Sequence, residues 1–562
     1  MSESTGKPNG ISRRSALRAG AVAGAAAAAA GVTGGRPAYA DKPGLLDGDL
    51  LLVNGRIHTM DANNSVVEAV LIDDGRIAAV GTEKSINKVA GKKIQTIDLK
   101  GHTVIPGIID SHTHIVLVGN RPGWHTPLED VFTIPDVVAR YNKRVAGGVP
   151  AGEFVTTIGP VAPMQFPEQR LPNLTELDGV PRPVYMQGSA GGVRTNSLGR
   201  DWFTARGVTV NADGTIPGGA TGSTLALQLL RSTFLTPDTR KRGAKDALDY
   251  YAGLGITTHL DQGAFQSDAP SGAVANENNF TMYNPFLAVH ADGDLPARMR
   301  VNFLYMDADP DSVALSNRLA NAFPFFGDDM MRTGAIGEFF APDPSDPIGS
   351  GSTGNVRWLN AGMKVAKAGW RAENHSLSAT DFKAEIDGFG LINAQFPITD
   401  LRWVVAHVPF ITEEYVMKLK ALGGGLKVGW GPIRTGVNVG PPYRMILNSG
   451  IHVGYHADGG DITLINPWLN FYTMITAKNI HGDLINDGNQ LTRQETLWMA
   501  TVANKWFIGE DDLGSIEVGN HADLAVLDRD FFTVPDEEIM HISSDLTIVG
   551  GRITHNSGAI QV

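Results

Sequence analysis

The sequence predicts an α/β protein in which eight parallel strands and their helices form a (β/α)8 barrel, accompanied by a small β-sandwich. Three observations indicate this fold. Apolar runs alternate with helical patterns between residues 104 and 507. Short strands separated by turns occur at 41–103 and at 508–562. A length of 562 residues suits one large barrel with a smaller second domain.

Residues 1–40 have the composition of an export signal. The pair Arg13-Arg14 is followed by an uncharged, alanine-rich run at 19–35 and by the small-x-small cleavage signal Ala38-Tyr39-Ala40. The segment resembles a twin-arginine signal peptide, although Ala16 stands where a large apolar residue is common. It predicts transport by the twin-arginine translocation machinery to the periplasm or out of the cell, with cleavage after Ala40. Because a run of 17 residues rich in Ala and Gly is short for a bilayer span, we expect no stable membrane anchor.

The charge and the cysteine count exclude several partners and sites. The formal net charge is -12, and removal of the leader, which has one acid and five bases, leaves the mature chain near -16. This acidic balance argues against nucleic acid or an anionic membrane surface as a partner. The absence of cysteine excludes a disulfide framework and a cysteine ligand or nucleophile. Whether the chain forms a homo-oligomer is left open.

Short strands with tight turns occur at both ends of the mature chain, at 41–103 and at 508–562. Asn-Gly, Asp-Asp-Gly and Gly-Thr turns separate the first group, which is the pattern of hairpins. We expect the two groups to form one β-sandwich from both ends of the chain. The candidate strands are Leu50–Ile57, Val66–Ile72, Arg76–Val80, Thr96–Leu99, Gly514–Leu527 and Leu546–Thr554.

The middle of the chain, residues 104–507, has the alternation expected of a parallel βα barrel. A stretch at about 120–249, with proline- and glycine-rich pieces, indicates an insertion after the first strand. In such a barrel the functional residues lie at the carboxyl ends of the strands. The candidate strands are Val104–Ile109, Thr257–Asp261, Met299–Met306, Thr333–Phe339, Trp370–Asn374, Trp403–Ala406, Leu426–Val428 and Val453–Tyr455.

Histidines and carboxylates occur where these strands end. His112 and His114 are one residue apart, so on a strand their side chains point to the same face, which suits two ligands of one metal ion. Each such residue alone is more often structural, but their joint order along the chain predicts a divalent metal site. The ends of the fourth, fifth, sixth and eighth strands carry Glu338, His375, His407 and Asp458.

These motifs resemble the amidohydrolase superfamily and, within it, the YtcJ-like branch known as amidohydrolase family 3. The resemblance covers nearly all of residues 47–556. Its most specific motifs are Pro106-Gly-Ile-Ile-Asp-Ser-His-Thr-His114 and Gly514-x-Ile-x-x-Gly-x-x-Ala-Asp-Leu524. The weaker matches are Asn196-Ser197, Gly255-Ile-Thr-Thr258 and Asn466-Pro-Trp468.

The resemblance implies a distorted TIM-like barrel that holds one or two divalent metal ions, usually zinc, and hydrolyses C–N or related bonds. Asp458 would also handle protons. The ligands carried over to this chain are His112 and His114 for the buried ion, Glu338 as a bridge, His375 and His407 for the exposed ion, and Asp458 as a further contact of the first ion.

Two departures from the branch pattern bear on the metal. Glu338 stands where this branch usually has a carboxylated lysine, and His375-Ser-Leu-Ser replaces a His-Ala/Thr-x-Gly-Asp motif. A glutamate supplies the same single negative charge, but its arm is shorter. Either the backbone lies closer to a pair of ions or the site holds only one ion.

The reaction implied is hydrolysis of an amide-like C–N bond of the N-acyl, formamide or carbamate type in a small-molecule substrate. Zinc lowers the pKa of a bound water from about 15.7 to about 7, and Asp458 would take the proton of that water and pass it to the leaving nitrogen. Ester or lactone hydrolysis and deamination remain open, as does a non-catalytic exported binding or regulatory protein on the same fold. The candidate substrate contacts are Trp124, His456 and Trp430.

Overall fold

The computed structural model describes residues 50–91, 94–158, 161–188, 192–263, 281–306, 311–342, 352–429, 431–460 and 463–562. The predicted leader and Trp430 lie outside the described residues. Strands and helices alternate through most of the described chain, so the prediction of an α/β fold is confirmed. Within the described ranges, no helix has the length and apolar character needed to cross a membrane.

The described chain begins with the strands of two small sheets. One four-stranded sheet has the order β5-β4-β1-β6, while β7, β2 and β3 form one side of a six-stranded sheet. The turn between β4 and β5 contains Asp74 and Gly75 with φ of 46° and 72°, as expected for an Asp-Gly hairpin turn. The elements are β1 (Leu50–Val53), β2 (Arg56–His58), β3 (Val66–Val67), β4 (Ala69–Asp73), β5 (Arg76–Gly81), α1 (Glu83–Ile86), β6 (Gln95–Asp98) and β7 (Thr103–Pro106).

The expected first barrel strand, Val104–Ile109, is two strands in the structure. β7 pairs in parallel with β2, whereas β8 (Ile108–Thr113) pairs in parallel with the later strand Ile256–Asp261. The break falls at Gly107, where a Cβ atom would lie 2.1 Å from Oγ1 of Thr257. Only a residue without a side chain allows so close an approach, so the chain passes from one sheet to the other at this glycine.

The segment that follows β8 contains a sheet of its own and falls in the stretch expected as an insertion. This sheet has the order β13-β12-β11-β10-β9. The side chains of Thr133 and Asn196 accept hydrogen bonds from backbone N–H groups three residues later, which fixes the starts of two helices. The elements are α2 (Ile115–Gly119), β9 (Trp124–Pro127), α3 (Ile134–Ala146), β10 (Val155–Ile158), α4 (Leu174–Leu177), β11 (Val184–Gln187), β12 (Val193–Arg194), α5 (Ser197–Thr204), β13 (Thr215–Ile216), α6 (Ser223–Phe234) and α7 (Pro237–Ala252).

Parallel strands alternate with helices in the rest of the middle region. With β8 they form two four-stranded parallel sheets, of order β16-β15-β14-β8 and β17-β18-β19-β20. The elements are β14 (Ile256–Asp261), α8 (Asn284–Ala291), β15 (Arg298–Phe303), α9 (Val313–Asn321), β16 (Met331–Ile336), α10 (Ser352–Lys367), β17 (Glu373–Ser376), α11 (Ala379–Asn393), β18 (Val404–His407), α12 (Glu413–Ala421), β19 (Gly425–Gly429), α13 (Tyr443–Ser449) and β20 (His452–His456).

The two parallel sheets contact each other at both of their edges. At one edge, Ile336 of β16 forms a parallel bridge with Ala372, just before β17. At the other edge, the backbone N–H of Asp458, just after β20, donates to the carbonyl oxygen of His112 on β8 at 2.9 Å. A ring of eight parallel strands requires contacts of this kind at both edges.

The end of the chain returns to the strands formed at its beginning. β21 pairs antiparallel with β7, which gives the six-stranded sheet the order β23-β22-β21-β7-β2-β3. Leu52, Val104 and Val526 belong to one buried apolar cluster, so the two small sheets share a core. The elements are α14 (Pro467–Thr476), α15 (Arg493–Ala500), α16 (Lys505–Ile508), β21 (Leu524–Leu527), β22 (Ser544–Val549) and β23 (Arg552–Asn556).

Candidate metal centre

The structure brings the predicted metal ligands together at the carboxyl ends of the parallel strands. Five of these side chains are at most 4% exposed, and that of His375 is 16% exposed. Single ligand atoms of four of them lie within 4.8 Å of one another, namely those of His112, Glu338, His407 and Asp458. His114, Glu338 and Asp458 each come directly after or within two residues of a strand end.

The carboxylate of Glu338 lies between the histidines of two strands. Its Oε2 is 2.8 Å from Nε2 of His112 and 3.0 Å from Nε2 of His114. Its Oε1 is 3.0 Å from Nδ1 of His375. The two oxygens thus face different histidines, as a carboxylate between two metal positions would.

The carboxylate of Asp458, two residues after the end of β20, also lies close to His112 and His114, and in addition to His407. Its Oδ1 is 3.2 Å from Nε2 of His112 and 3.5 Å from Nε2 of His114. Its Oδ2 lies 3.8 Å from Nδ1 of His407. Both Asp458 and His407 have a left-handed backbone, with φ of 52° and 73°. Residues other than glycine rarely adopt this conformation, and such strain concentrates at functional sites.

The charges of the centre act strongly on one another. Burial alone would raise the pKa of Glu338, but the neighbouring histidines hold it well below its usual range. The pKa of Asp458 is likewise held well below its usual range against the effect of burial. Burial would lower the pKa of His112, but the carboxylates around it raise that pKa well above its ordinary value. Both carboxylates are therefore ionised and face the ring nitrogens.

His112 on β8 and His114 directly after it are oriented by different acceptors. Nδ1 of His112 donates to Oε1 of Glu373 at 2.6 Å, and Nδ1 of His114 donates to the carbonyl oxygen of Gly263 at 2.9 Å. With a proton on Nδ1, each ring directs Nε2 to the centre, and release of the Nε2 proton would make that nitrogen a metal ligand.

The donor set fits a divalent metal ion such as zinc. Imidazole nitrogens and carboxylate oxygens are ordinary zinc ligands, and they converge here in a buried site. Oδ2 of Asp458 is buried and makes no hydrogen bond within the described residues. A buried carboxylate oxygen without a donor is costly, and a cation bound beside it would satisfy it.

The predicted substrate contacts have different outcomes. The ring of His456 lies beside the centre, with its centroid 5.1 Å from that of His112 and 4.8 Å from that of His407. Trp124 is not brought to the centre. Its indole N–H donates to Oε2 of Glu153, and its ring packs under Arg242 in the inserted region. The cation–π contact and this hydrogen bond account for its position.

Sequence reasoning gave no role to two residues that lie next to the centre. Glu373 contacts His112, and Oε2 of Glu373 accepts a hydrogen bond from Nζ of Lys427. Side chains alternate between the two faces of a strand, and Glu373 lies two residues before His375. The sequence therefore already indicated that these two side chains share a face. Lys427 in the middle of an apolar strand was a weaker signal.

Comparison with known sequences associates this geometry with a family. The model of a family described as the amidohydrolase family matches residues 95–555. The N-substituted formamide deformylase of Arthrobacter pascens is 24% identical over 548 residues, which are 90% of this chain and 98% of that protein. An imidazolonepropionase of Vibrio vulnificus strain CMCP6 is 34% identical over 134 residues, which are 23% of this chain and 30% of that protein.

Solved structures of hydrolases share the fold. An uncharacterized metal-dependent hydrolase from Pyrococcus furiosus matches with a TM-score of 0.57 at 17% identity, over 86% of this chain and 100% of that chain. An atrazine chlorohydrolase from Arthrobacter aurescens TC1, complexed with zinc, matches with a TM-score of 0.51 at 18% identity, over 90% of this chain and 95% of that chain. At these identities the likeness concerns the fold alone.

Proposed function

This chain belongs to the amidohydrolase family, and we propose that it is an exported metal-dependent hydrolase that cleaves an amide-like C–N bond of the N-acyl, formamide or carbamate type. The observation that carries the proposal is the convergence of four histidines and two carboxylates at the carboxyl ends of the parallel strands. This is the end at which barrel enzymes place their active sites.

In the proposed site two metal positions share Glu338. The first would be held by Nε2 of His112, Nε2 of His114 and Oε2 of Glu338, with Oδ1 of Asp458 beside them. The second would be held by Oε1 of Glu338 with His375 and His407. Zinc is the proposed ion, and one or two ions per chain are compatible with this arrangement.

Asp458 is the proposed catalytic base and acid. A bound zinc ion would supply a water with a pKa near 7 and polarise the carbonyl oxygen of the substrate. Asp458, ionised and buried, would orient the attacking water, accept its proton and donate that proton to the leaving nitrogen. Because Asp458 is buried, bulk water would have little access to the proton that it carries.

Among amide-like substrates, N-substituted formamides are the first class to test. The formamide deformylase of Arthrobacter pascens matches over 98% of its own length, which supports a similar bond type at 24% identity. We further propose that the chain belongs to the YtcJ-like branch, since its motifs at 106–114 and 514–524 resemble that branch.

The proposed architecture is a (β/α)8 barrel at 104–507, shifted at its start to β8, with a β-sandwich from 41–103 and 508–562. The bridge between Ile336 and Ala372 and the bond from Asp458 to His112 support closure of the barrel. The core shared by the two small sheets supports the sandwich.

The test is a substrate screen with the metal-loaded mature chain. The protein is produced in zinc-supplemented medium, its metal content is measured by mass spectrometry, and it is assayed with N-alkyl formamides, N-acyl amino acids, carbamates and lactones. From a formamide or an N-acyl amino acid we expect equal amounts of carboxylic acid and amine, from a carbamate equal amounts of amine, alcohol and carbon dioxide, and no turnover by His114→Ala. Turnover of lactones alone would overturn the bond type, and a chain without metal or turnover would favour a binding protein.

Export is proposed from the leader alone. Arg13→Lys with Arg14→Lys should leave the unprocessed protein in the cytoplasm, because the translocation receptor reads the paired guanidinium groups. Cell fractionation with an antibody against the mature chain measures this. Unchanged export of the double variant would point to an ordinary secretory signal instead.

A further inference from the structure

We infer that Glu373 and Lys427 form a buried positioning pair that fixes which ring nitrogen of His112 faces the metal and makes that nitrogen a stronger ligand. The inference rests on the metal site of the proposed function. It concerns two residues, one on β17 and one on β19, that have no direct place in the proposed reaction.

The contacts form a hydrogen-bond network that joins three strands, β8, β17 and β19. Nδ1 of His112 lies 2.6 Å from Oε1 of Glu373, while Nε2 of the same ring lies 2.8 Å from Glu338. The second oxygen of Glu373 accepts from Nζ of Lys427, and Nζ also donates to the carbonyl oxygen of Ser111. Since Ser111 directly precedes His112, the lysine connects Glu373 to the backbone that carries the ligand.

The three side chains of this network are shielded from solvent. The side chains of His112, Glu373 and Lys427 are 0% exposed. Glu373 accepts from Nδ1 of His112 through Oε1 and from Nζ of Lys427 through Oε2, so both of its oxygens act as acceptors, as in a carboxylate. Arg371, also buried, adds a further positive charge near Glu373. The local charges thus keep an anion directly behind His112.

An anionic acceptor behind a ligating imidazole has two effects. It holds the proton on Nδ1, which leaves the lone pair of Nε2 for the metal, and it raises the basicity of that nitrogen. Loss of such an acceptor costs about 10- to 100-fold in metal affinity or activity in metalloproteins. His114 has a neutral carbonyl acceptor, that of Gly263, so the charged support is specific to His112.

A purely structural ion pair is the alternative, and the chain offers a matched control for it. Arg300 and Glu510 form a buried bidentate pair, with Nε to Oε1 at 2.5 Å and Nη2 to Oε2 at 2.9 Å. Arg300 is the third of the six residues of β15, and it lies in the amino-terminal half of that strand. Loss of the Arg300–Glu510 pair should lower the stability of the fold without changing its affinity for the metal.

The experiment measures zinc affinity of the folded mature chain by competition with a chromophoric chelator, at a temperature well below the melting transition. Glu373→Gln should weaken zinc binding about 10- to 100-fold. Glu510→Gln should lower the melting temperature and leave zinc affinity within about twofold of the parent. The visible spectrum of the cobalt-loaded protein should change with Glu373→Gln and not with Glu510→Gln, since it reports ligand geometry.

A second variant keeps the test decisive if Glu373→Gln, which leaves Lys427 without its anion, fails to fold. Glu373→Gln combined with Lys427→Met removes both charges, and it should fold and still bind zinc more weakly than the parent. Zinc affinity of the double variant within twofold of the parent would overturn the positioning pair alone. A parent protein that binds no divalent ion would overturn the proposed function and the pair together.

Discussion

The two ends of the parallel strands both contain buried charges, but these charges are matched in different ways. At the amino end of β15, Arg298 meets Asp523 with Nε to Oδ2 at 2.7 Å and Nη2 to Oδ1 at 2.9 Å. At the carboxyl ends, one oxygen of Glu338 faces two ring nitrogens, and Oδ2 of Asp458 has no hydrogen-bond donor within the described residues.

This difference separates stability from function. The guanidinium of Arg298 and the carboxylate of Asp523 satisfy each other, and the pair joins β15 to the segment that leads into β21. At the other end, Oδ2 of Asp458 has no hydrogen-bond donor within the described residues, and a bound cation would satisfy it. Buried charges that satisfy each other thus join the strands to the sheets formed by the two ends of the chain. Buried carboxylates without a full set of hydrogen-bond donors form the centre.

The largest expected effect is that of metal removal, which acts only at the carboxyl ends of the parallel strands. Dialysis against a chelator should abolish turnover, and added zinc should restore it, because the histidines and carboxylates of the centre hold the ion. Metal content and activity are measured on the same samples. Full activity with less than about 0.1 equivalent of any divalent ion would contradict the site.

Asp458→Asn should lower turnover at least ~100-fold, because the amide cannot accept the proton of water. Metal should largely stay, since His112, His114 and Glu338 still converge. Steady-state kinetics and metal analysis measure the two effects. The matched control is Asp523→Asn, which should reduce stability and leave turnover per folded molecule unchanged. Activity of Asp458→Asn within threefold of the parent would show that the base lies elsewhere.

At the amino end of β15, Arg298→Met should destabilise the fold by about 3–5 kcal/mol, since Asp523 stays buried without its main partner. Chemical denaturation at equilibrium measures the free energy of unfolding. Zinc affinity should remain within about twofold of the parent. A loss of metal in the folded variant would mean that the two ends are not independent.

The smallest expected effect is that of an exposed pair. Arg170 and Glu176 form two hydrogen bonds of 2.8 Å, but their side chains are 45% and 31% exposed. Arg170→Ala should therefore change the free energy of unfolding by less than about 1 kcal/mol. The same denaturation assay measures this. A loss as large as that expected for Arg298→Met would mean that burial does not govern the comparison.

Much of the centre was predictable because its information is local. His112 and His114 share a face through the two-residue period of a strand, and Glu338, His407 and Asp458 each follow an apolar run that forms a strand in the structure. The positions of the parallel strands followed from the same runs to within a few residues, except at Gly107.

The sequence by itself determined the type of each ligand, its order along the chain and the strand end on which it lies, since these depend on neighbours within a few residues. Only the tertiary structure decided that Glu373 meets His112 across 261 residues, that Lys427 meets Glu373 across 54, and that Trp124 faces the insertion. Such contacts depend on the register between strands and on close approaches such as that of Gly107 to Thr257. The periodicity of a single strand contains no information about either.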